Sequence, residues 1–119
     1  MGEVRVQIVV ENPRTGERSE ELTALADTGA TLTVIPRHVL QQVGVREVRS
    51  ASLVLADGRR VERDVGDARV AINGESVPCR VVFGEPSDAV LVGLTVLEQL
   101  GLAVDPVRRR LVPTDFLLY

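Results

Sequence analysis

Leu22-Thr23-Ala24-Leu25-Ala26-Asp27-Thr28-Gly29-Ala30-Thr31-Leu32-Thr33-Val34-Ile35-Pro36 is the stretch whose reading decides the fold of this chain. Apolar residues run up to Asp27 and resume at Leu32, which puts one carboxylate on a tight glycine turn between two strands. Asp-Thr-Gly alone is weak evidence, because a chain of this length holds one by chance roughly a few times in a hundred. The plain alternative is a structural turn in which Asp27 caps local amides and Gly29 supplies backbone freedom. The apolar flanks on both sides are what raise the tripeptide above that background.

Working outward, Val4, Val6, Ile8 and Val10 alternate with Arg5, Gln7 and Val9, the period of a strand with one buried face. Asn12-Pro13-Arg14-Thr15-Gly16 turns that strand back into the one ending near Ala26. Thr33 to Ile35 reads as a further strand, with Pro36 as the first residue of a helix that Gly44 ends. Asp57-Gly58 between Ser52–Ala56 and Arg60–Val65 is a hairpin signal, and Asn73-Gly74 between Ala68–Ile72 and Val77–Phe83 is another. A short helix is expected from Thr95 or Val96 to Leu100, stopped by Gly101. Strands are expected at Leu102–Val104, Leu111–Val112 and Phe116–Tyr119, with Asp105-Pro106 as a turn. The expected class is all-β: a closed barrel with one or two short helices, forming a single domain over residues 1–119.

Composition agrees. With 119 residues and 3% aromatics, Val, Leu and Ile must fill one modest core, and β-branched richness favours sheet. Net charge is −3, and Arg108-Arg109-Arg110 has no basic face around it, so nucleic acid is not an expected partner. All 14 basic residues are Arg, which bears on coding bias and not on mechanism. Cys79 is the single cysteine, which excludes an intrachain disulfide and a cysteine-rich zinc site and makes a reducing cytosol the default compartment. The charged, alternating N-terminus is unlike a signal peptide, and no apolar run has the length of a membrane span.

A second element lies far downstream: Ala89-Val90-Leu91-Val92-Gly93-Leu94, followed by Leu97-Glu98-Gln99-Leu100-Gly101. Together with the Asp27 stretch it resembles the retropepsin-like aspartic proteases, whose first motif is apolar-apolar-Asp-Thr/Ser-Gly-Ala/Ser and whose second is apolar-apolar-Gly before a short helix. The resemblance covers about residues 3 to 113. It implies a single lobe of the acid-protease barrel, a covering hairpin between the motifs, and hydrolysis of polypeptides. A faint internal echo is consistent with the pseudo-twofold of such a lobe: Leu32-Thr33-Val34-Ile35 against Leu94-Thr95-Val96-Leu97, and Leu40-Gln41-Gln42-Val43-Gly44-Val45 against Leu97-Glu98-Gln99-Leu100-Gly101-Leu102.

Peptide hydrolysis by carboxylates needs one ionised group to take a proton from water and one protonated group to polarise the carbonyl. Asp27 cannot hold both roles, and Asp57, Asp64, Asp67, Asp88, Asp105 and Asp115 fall in turn or surface contexts. The resemblance therefore implies a homodimer with Asp27 and its mate on a twofold axis, sharing one proton and titrating as a unit. It implies that Thr28 braces the opposite loop, that Gly29 and Ala30 shape the turn, and that Leu55-Ala56-Asp57-Gly58-Arg59-Arg60-Val61 is the covering hairpin. Ala30, Leu55, Ala56, Asp57, Gly58 and Arg59 are then the substrate-binding candidates, with Arg59 and Arg60 biasing the site toward acidic or polar peptides. Neither metal nor organic cofactor is implied.

The resemblance breaks at Thr31 and Leu94, where retroviral members of that family carry an acid and an arginine that brace the dimer. Dimer contacts are then expected from apolar strands, Val4–Val10 and Phe116–Tyr119. His38 has no second ligand at metal spacing, Cys79 shares a strand face with Val77, Val81 and Phe83 as a small hydrophobe, and no serine sits in a Gly-x-Ser-x-Gly elbow. Two other readings stay open: an inactive dimerisation or peptide-binding module on the same fold, and a ligand-binding barrel in which Asp27 orients a small polar molecule.

Overall fold

Strand β1 (Arg5–Glu11) buries Val6, Ile8 and Val10 and exposes Arg5 and Gln7, as its alternation demands. It pairs antiparallel with β2 (Leu22–Asp27), Val6 opposite Ala24 and Ile8 opposite Leu22. The computed structural model describes residues 3–116 and residue 118. The β1–β2 turn is held by Asn12, one of two buried polar side chains among the described residues. Its Oδ1 accepts the Arg14 amide at 2.8 Å, and its Nδ2 donates to the Val43 carbonyl at 2.9 Å, tying the turn to the end of a helix 31 positions away.

β3 (Thr33–Pro36) runs into α1 (Arg37–Gln42). Pro36 is the last strand residue and the helix N-cap, at φ −54° and ψ 137°, so the helix starts one residue later than the sequence suggests. The extended ψ is the reason: it keeps Pro36 in the parallel pairing with Gly84. β4 (Glu47–Val54) and β5 (Arg60–Ile72) form the first long hairpin, and β6 (Glu75–Gly84) returns along β5. Two expectations need correction here. The strands read at 60–65 and 68–72 are one 13-residue strand, and the Asp57-Gly58 connection is a five-residue loop, Leu55–Arg59, closed by Leu55 N–H to the Arg59 carbonyl at 2.8 Å. Asn73-Gly74 is the tight two-residue turn expected, with φ of 53° and 83°.

β7 (Leu91–Gly93) leads directly into α2 (Leu94–Leu100), which ends at Gly101 in the left-handed region, and β8 (Leu102–Asp105) pairs with β9 (Arg110–Pro113) as a separate ribbon. Phe116 lies outside any strand against Gly101, contrary to the strand expected at Phe116–Tyr119; Leu117 and Tyr119 lie outside the described residues.

The main sheet runs β1-β2-β7-β3-β6-β5-β4, and β1 also pairs with β5 (Val10 opposite Val70). That pairing closes the barrel and leaves β4 as the outermost strand. Residues 5–8 are paired to β2, residues 9–11 to β5, and Val6, Ile8 and Val10 face inward. The core is built from Ile8, Val10, Ile35, Leu40, Val70, Val81, Val92, Val96 and Leu97 around Phe83, the one buried aromatic among the described residues. Among the described residues no helix is long and apolar enough to cross a membrane.

Candidate functional site

Asp27 is the last residue of β2, and its partner in register is Gly93, the last residue of β7, so the two motifs meet although 66 positions separate them. A parallel pairing of Leu25, Ala26 and Asp27 with Leu91, Val92 and Gly93 aligns the strand ends. Past the ends, the two loops are stitched by backbone hydrogen bonds. Leu94 N–H donates to the Ala30 carbonyl at 2.7 Å, and Thr95 N–H to the Thr31 carbonyl at 3.2 Å. Among the described residues, the bonds joining these two loops at Ala30–Thr31 and Leu94–Thr95 are main chain to main chain, with no ion pair at Thr31 or Leu94.

Gly93 is obligatory at this crossing. A Cβ there would lie 2.5 Å from the Leu32 carbonyl oxygen and 2.9 Å from that of Ala30, backbone atoms with no freedom to move aside. Its N–H donates to the Thr33 hydroxyl at 3.0 Å, and Thr33 is the second buried polar side chain, 1% exposed. This anchor was not read from the sequence, where Thr33 inside Leu32-Thr33-Val34-Ile35 is an ordinary strand former. A hydroxyl at a core-facing position of an apolar run was the available signal.

The carboxylate sits at the apex of the loop. Asp27 Oδ1 accepts the Gly29 amide at 2.8 Å, and Ala30 N–H donates to the Asp27 carbonyl at 3.2 Å. Asp27 is half-buried, while Thr28 and Gly29 are exposed. Of the seven aspartates, Asp57, Asp64, Asp67, Asp88 and Asp105 are each ion-paired with an arginine. Among the described residues Asp27 has no cationic partner, and its one side-chain hydrogen bond is the Gly29 amide on Oδ1.

The Leu55–Arg59 loop lies at the far tip of the β4–β5 hairpin. Among the described residues no hydrogen bond or ion pair joins it to Asp27–Ala30. Leu55 is half-buried, and Ala56, Asp57, Gly58 and Arg59 are exposed. Arg59 folds back on the loop: its Nε lies 2.7 Å from Asp57 Oδ2 and its amide 3.0 Å from Oδ1. The Arg59 amide and guanidinium hold the Asp57 carboxyl below its ordinary value. Arg60 is exposed, and His38 is exposed on α1. Cys79 packs against the core, and burial pushes its thiol up to about 12, the opposite of what a thiolate nucleophile needs.

Among curated protein sequences none matches this chain. Among solved structures, the protease of simian foamy virus (mac) is similar over 81% of this chain and 93% of its own, at 21% identity and a TM-score of 0.55. The EIAV protease complexed with the inhibitor HBY-793 is similar over 87% of this chain and 92% of its own, at 17% identity and a TM-score of 0.63. At these identities the likeness establishes the fold, a retropepsin-like all-β barrel. The family model described as gag-polyprotein putative aspartyl protease matches residues 18–99, a span that contains both motifs and the hairpin between them. On that match the chain belongs to the gag-polyprotein aspartyl protease family.

Proposed function

We propose that the protein is an aspartic endopeptidase whose dyad forms across a homodimer, as one domain over residues 1–119. The observation that carries this reading is Asp27 itself: a carboxylate without a cationic partner among the described residues, docked in register on Gly93 at an exposed loop. One such carboxylate is half of a hydrolytic site. A twofold axis beside the loop brings a second copy, and two close carboxylates then share a proton. In this reading Asp27 takes a proton from water while its mate, protonated, polarises the scissile carbonyl. The exposed Thr28 hydroxyl reaches the opposite loop, and Gly29 keeps its amide against the carboxylate. Residues 55–59 cover an extended peptide bound as an added strand, its main chain supplying affinity and side-chain pockets supplying selectivity. With Arg59 already paired to Asp57, any preference for acidic side chains falls to Arg60.

The test is cleavage of a diverse peptide mixture from acidic to neutral pH by wild type and Asp27→Asn, with molecular mass measured in the same solutions. The expected result is cleavage by wild type that declines as pH rises through the upper apparent pKa of the pair, and a loss of at least about a thousandfold in Asp27→Asn. A confirmed dimer that cleaves nothing at any pH would instead make the chain a dimerisation or peptide-binding module, with Asp27 a turn cap for Gly29. A monomer that binds a small polar molecule beside Asp27 would favour the ligand-binding barrel.

A further inference from the structure

The β4–β5 hairpin is irregular in both strands at one level. In β4 the register shifts between Glu47 and Arg49, which pair with Gly66 and Val65 of β5. In β5 the same level holds Gly66, where a Cβ would lie 2.6 Å from the Arg46 carbonyl oxygen and 2.9 Å from the Phe83 ring. A bulge opposite a glycine in close contact is where a hairpin bends. Residues 49–64 lie on the tip side of that level, and the barrel lies on the other.

Two ion pairs of opposite polarity, from adjacent residues of β5, cross from the tip side to the barrel. Arg63 forks onto Asp88, Nε to Oδ2 at 2.8 Å and Nη2 to Oδ1 at 2.9 Å, with side chains only 18% and 23% exposed. Asp64 accepts from Arg37 Nη2 at 2.8 Å and from the Ser50 hydroxyl at 3.0 Å. Both barrel-side partners are themselves fixed. Asp88 Oδ2 accepts the Glu85 amide at 2.8 Å. Arg37 stacks 5.1 Å from the Phe83 ring centroid and also pairs with Glu85 at 3.1 Å and Glu47 at 3.3 Å. Asp88 stands on the loop that runs into β7, the strand whose end pairs with Asp27.

We propose that the Arg63–Asp88 fork and the Arg37–Asp64 pair are positioning contacts that lock the β4–β5 hairpin at one angle to the barrel and thereby gate entry of a polypeptide beneath its tip. The lock stands on the geometry alone; the gating role rests on the endopeptidase reading. Because a strand pair can swing as a unit while its own ladder stays intact, the barrier to opening lies in these cross-hinge contacts.

Spin–spin distances test it. Labels go at Ala56→Cys on the tip and Glu98→Cys on α2, in the full chain carrying Cys79→Ala and diluted into unlabelled protein so that distances within one protomer dominate. With Arg63 and Asp64 intact the distribution is narrow. Arg63→Gln or Asp64→Asn raises the displaced population about three- to tenfold, and Arg63→Lys, which keeps the charge without the fork, falls between. The two together raise it further, and the single variants carry the test should the double variant not fold. Asp67→Asn, which breaks the Asp67–Arg80 pair on the barrel side of Gly66, leaves the distribution unmoved. An unchanged distribution in both single variants overturns the lock, as does an equal response to Asp67→Asn. In peptide cleavage, Arg63→Gln raises or lowers KM several-fold with kcat near wild type, and a fall in kcat alone overturns the gating role. If the wild-type protein cleaves nothing, the gating role falls with the endopeptidase reading, while the distances still decide the lock.

Discussion

At the scale of single residues the candidate site rests on three small groups. Asp27 supplies the carboxylate, Gly93 permits the crossing, and the Thr33 hydroxyl receives the Gly93 amide in a fully buried setting. Thr33→Val keeps the shape but removes the acceptor, leaving a buried N–H without a partner. The expected loss is about 1–3 kcal/mol of unfolding free energy, read from urea denaturation, with Thr33→Ser recovering part of it. A loss under a few tenths of a kcal/mol would mean the amide finds another acceptor. Asp27 and Gly93 were legible in the sequence because each stands out against an apolar run. Thr33 was not, since its β-branched side chain suits a strand whether or not its hydroxyl is used. The Asp57–Arg59 closure was hidden for a related reason: a charged pair two residues apart in a turn looks the same whether it faces solvent or itself.

At the scale of elements, the turns were the most legible features and strand continuity the least. Asn73-Gly74 is the two-residue turn that its residue types demand, and both helices stop at glycines. The unbroken 13-residue β5 was read as two strands because Gly66 and Asp67 resemble a break, whereas the glycine is there to let the strand pass over Phe83. The cross-hinge ion pairs carry a pH consequence. Arg37 first and Ser50 second hold the Asp64 carboxyl below its ordinary value, and Arg63 holds that of Asp88 down likewise. Glu47 and Glu85 face the same cluster. A depressed native pKa means that the stabilisation is complete above the unfolded value of about 3.9 and is lost as pH falls through the native one. Asp88→Asn should therefore be less stable than wild type at neutral pH, with the difference shrinking as pH falls below about 4. Thermal melts across that range check this, and a constant difference would detach Asp88 from the acid response.

At the scale of the whole molecule, closing β1 onto β5 pairs the first strand back into the sheet and leaves β4 as its outermost strand. Main-chain bonds join Thr31 to Thr95 and Ala30 to Leu94, and among the described residues no charged pair braces these loops, which under the endopeptidase reading face a second copy. Under the endopeptidase reading, specific activity should fall on dilution, and below the dimer dissociation constant each further tenfold dilution should lower activity per chain about tenfold by mass action. Progress curves over a dilution series, with sedimentation at matched concentrations, measure it. Activity per chain that stays constant while the protein becomes monomeric would sink the shared dyad.

The chain by itself determined the local order: alternation marked where strands run, Asn-Gly and helix-ending glycines set the turns, and Asp27-Thr28-Gly29 with Gly93 marked the candidate site. Those features depend on contacts a few residues apart, which periodicity and backbone preference record directly. Only the tertiary structure decided what meets what. Leu32-Thr33-Val34-Ile35 and Leu94-Thr95-Val96-Leu97 are nearly the same tetrapeptide, yet the first enters β3 between β6 and β7 and the second opens α2. Their intrinsic preferences differ too little to separate strand from helix, so the free energy of pairing and burial against distant residues makes the choice. The same holds for Thr33 beneath Gly93 and for Arg63 against Asp88, partners brought together by barrel closure and invisible in the spacing of the residues along the chain.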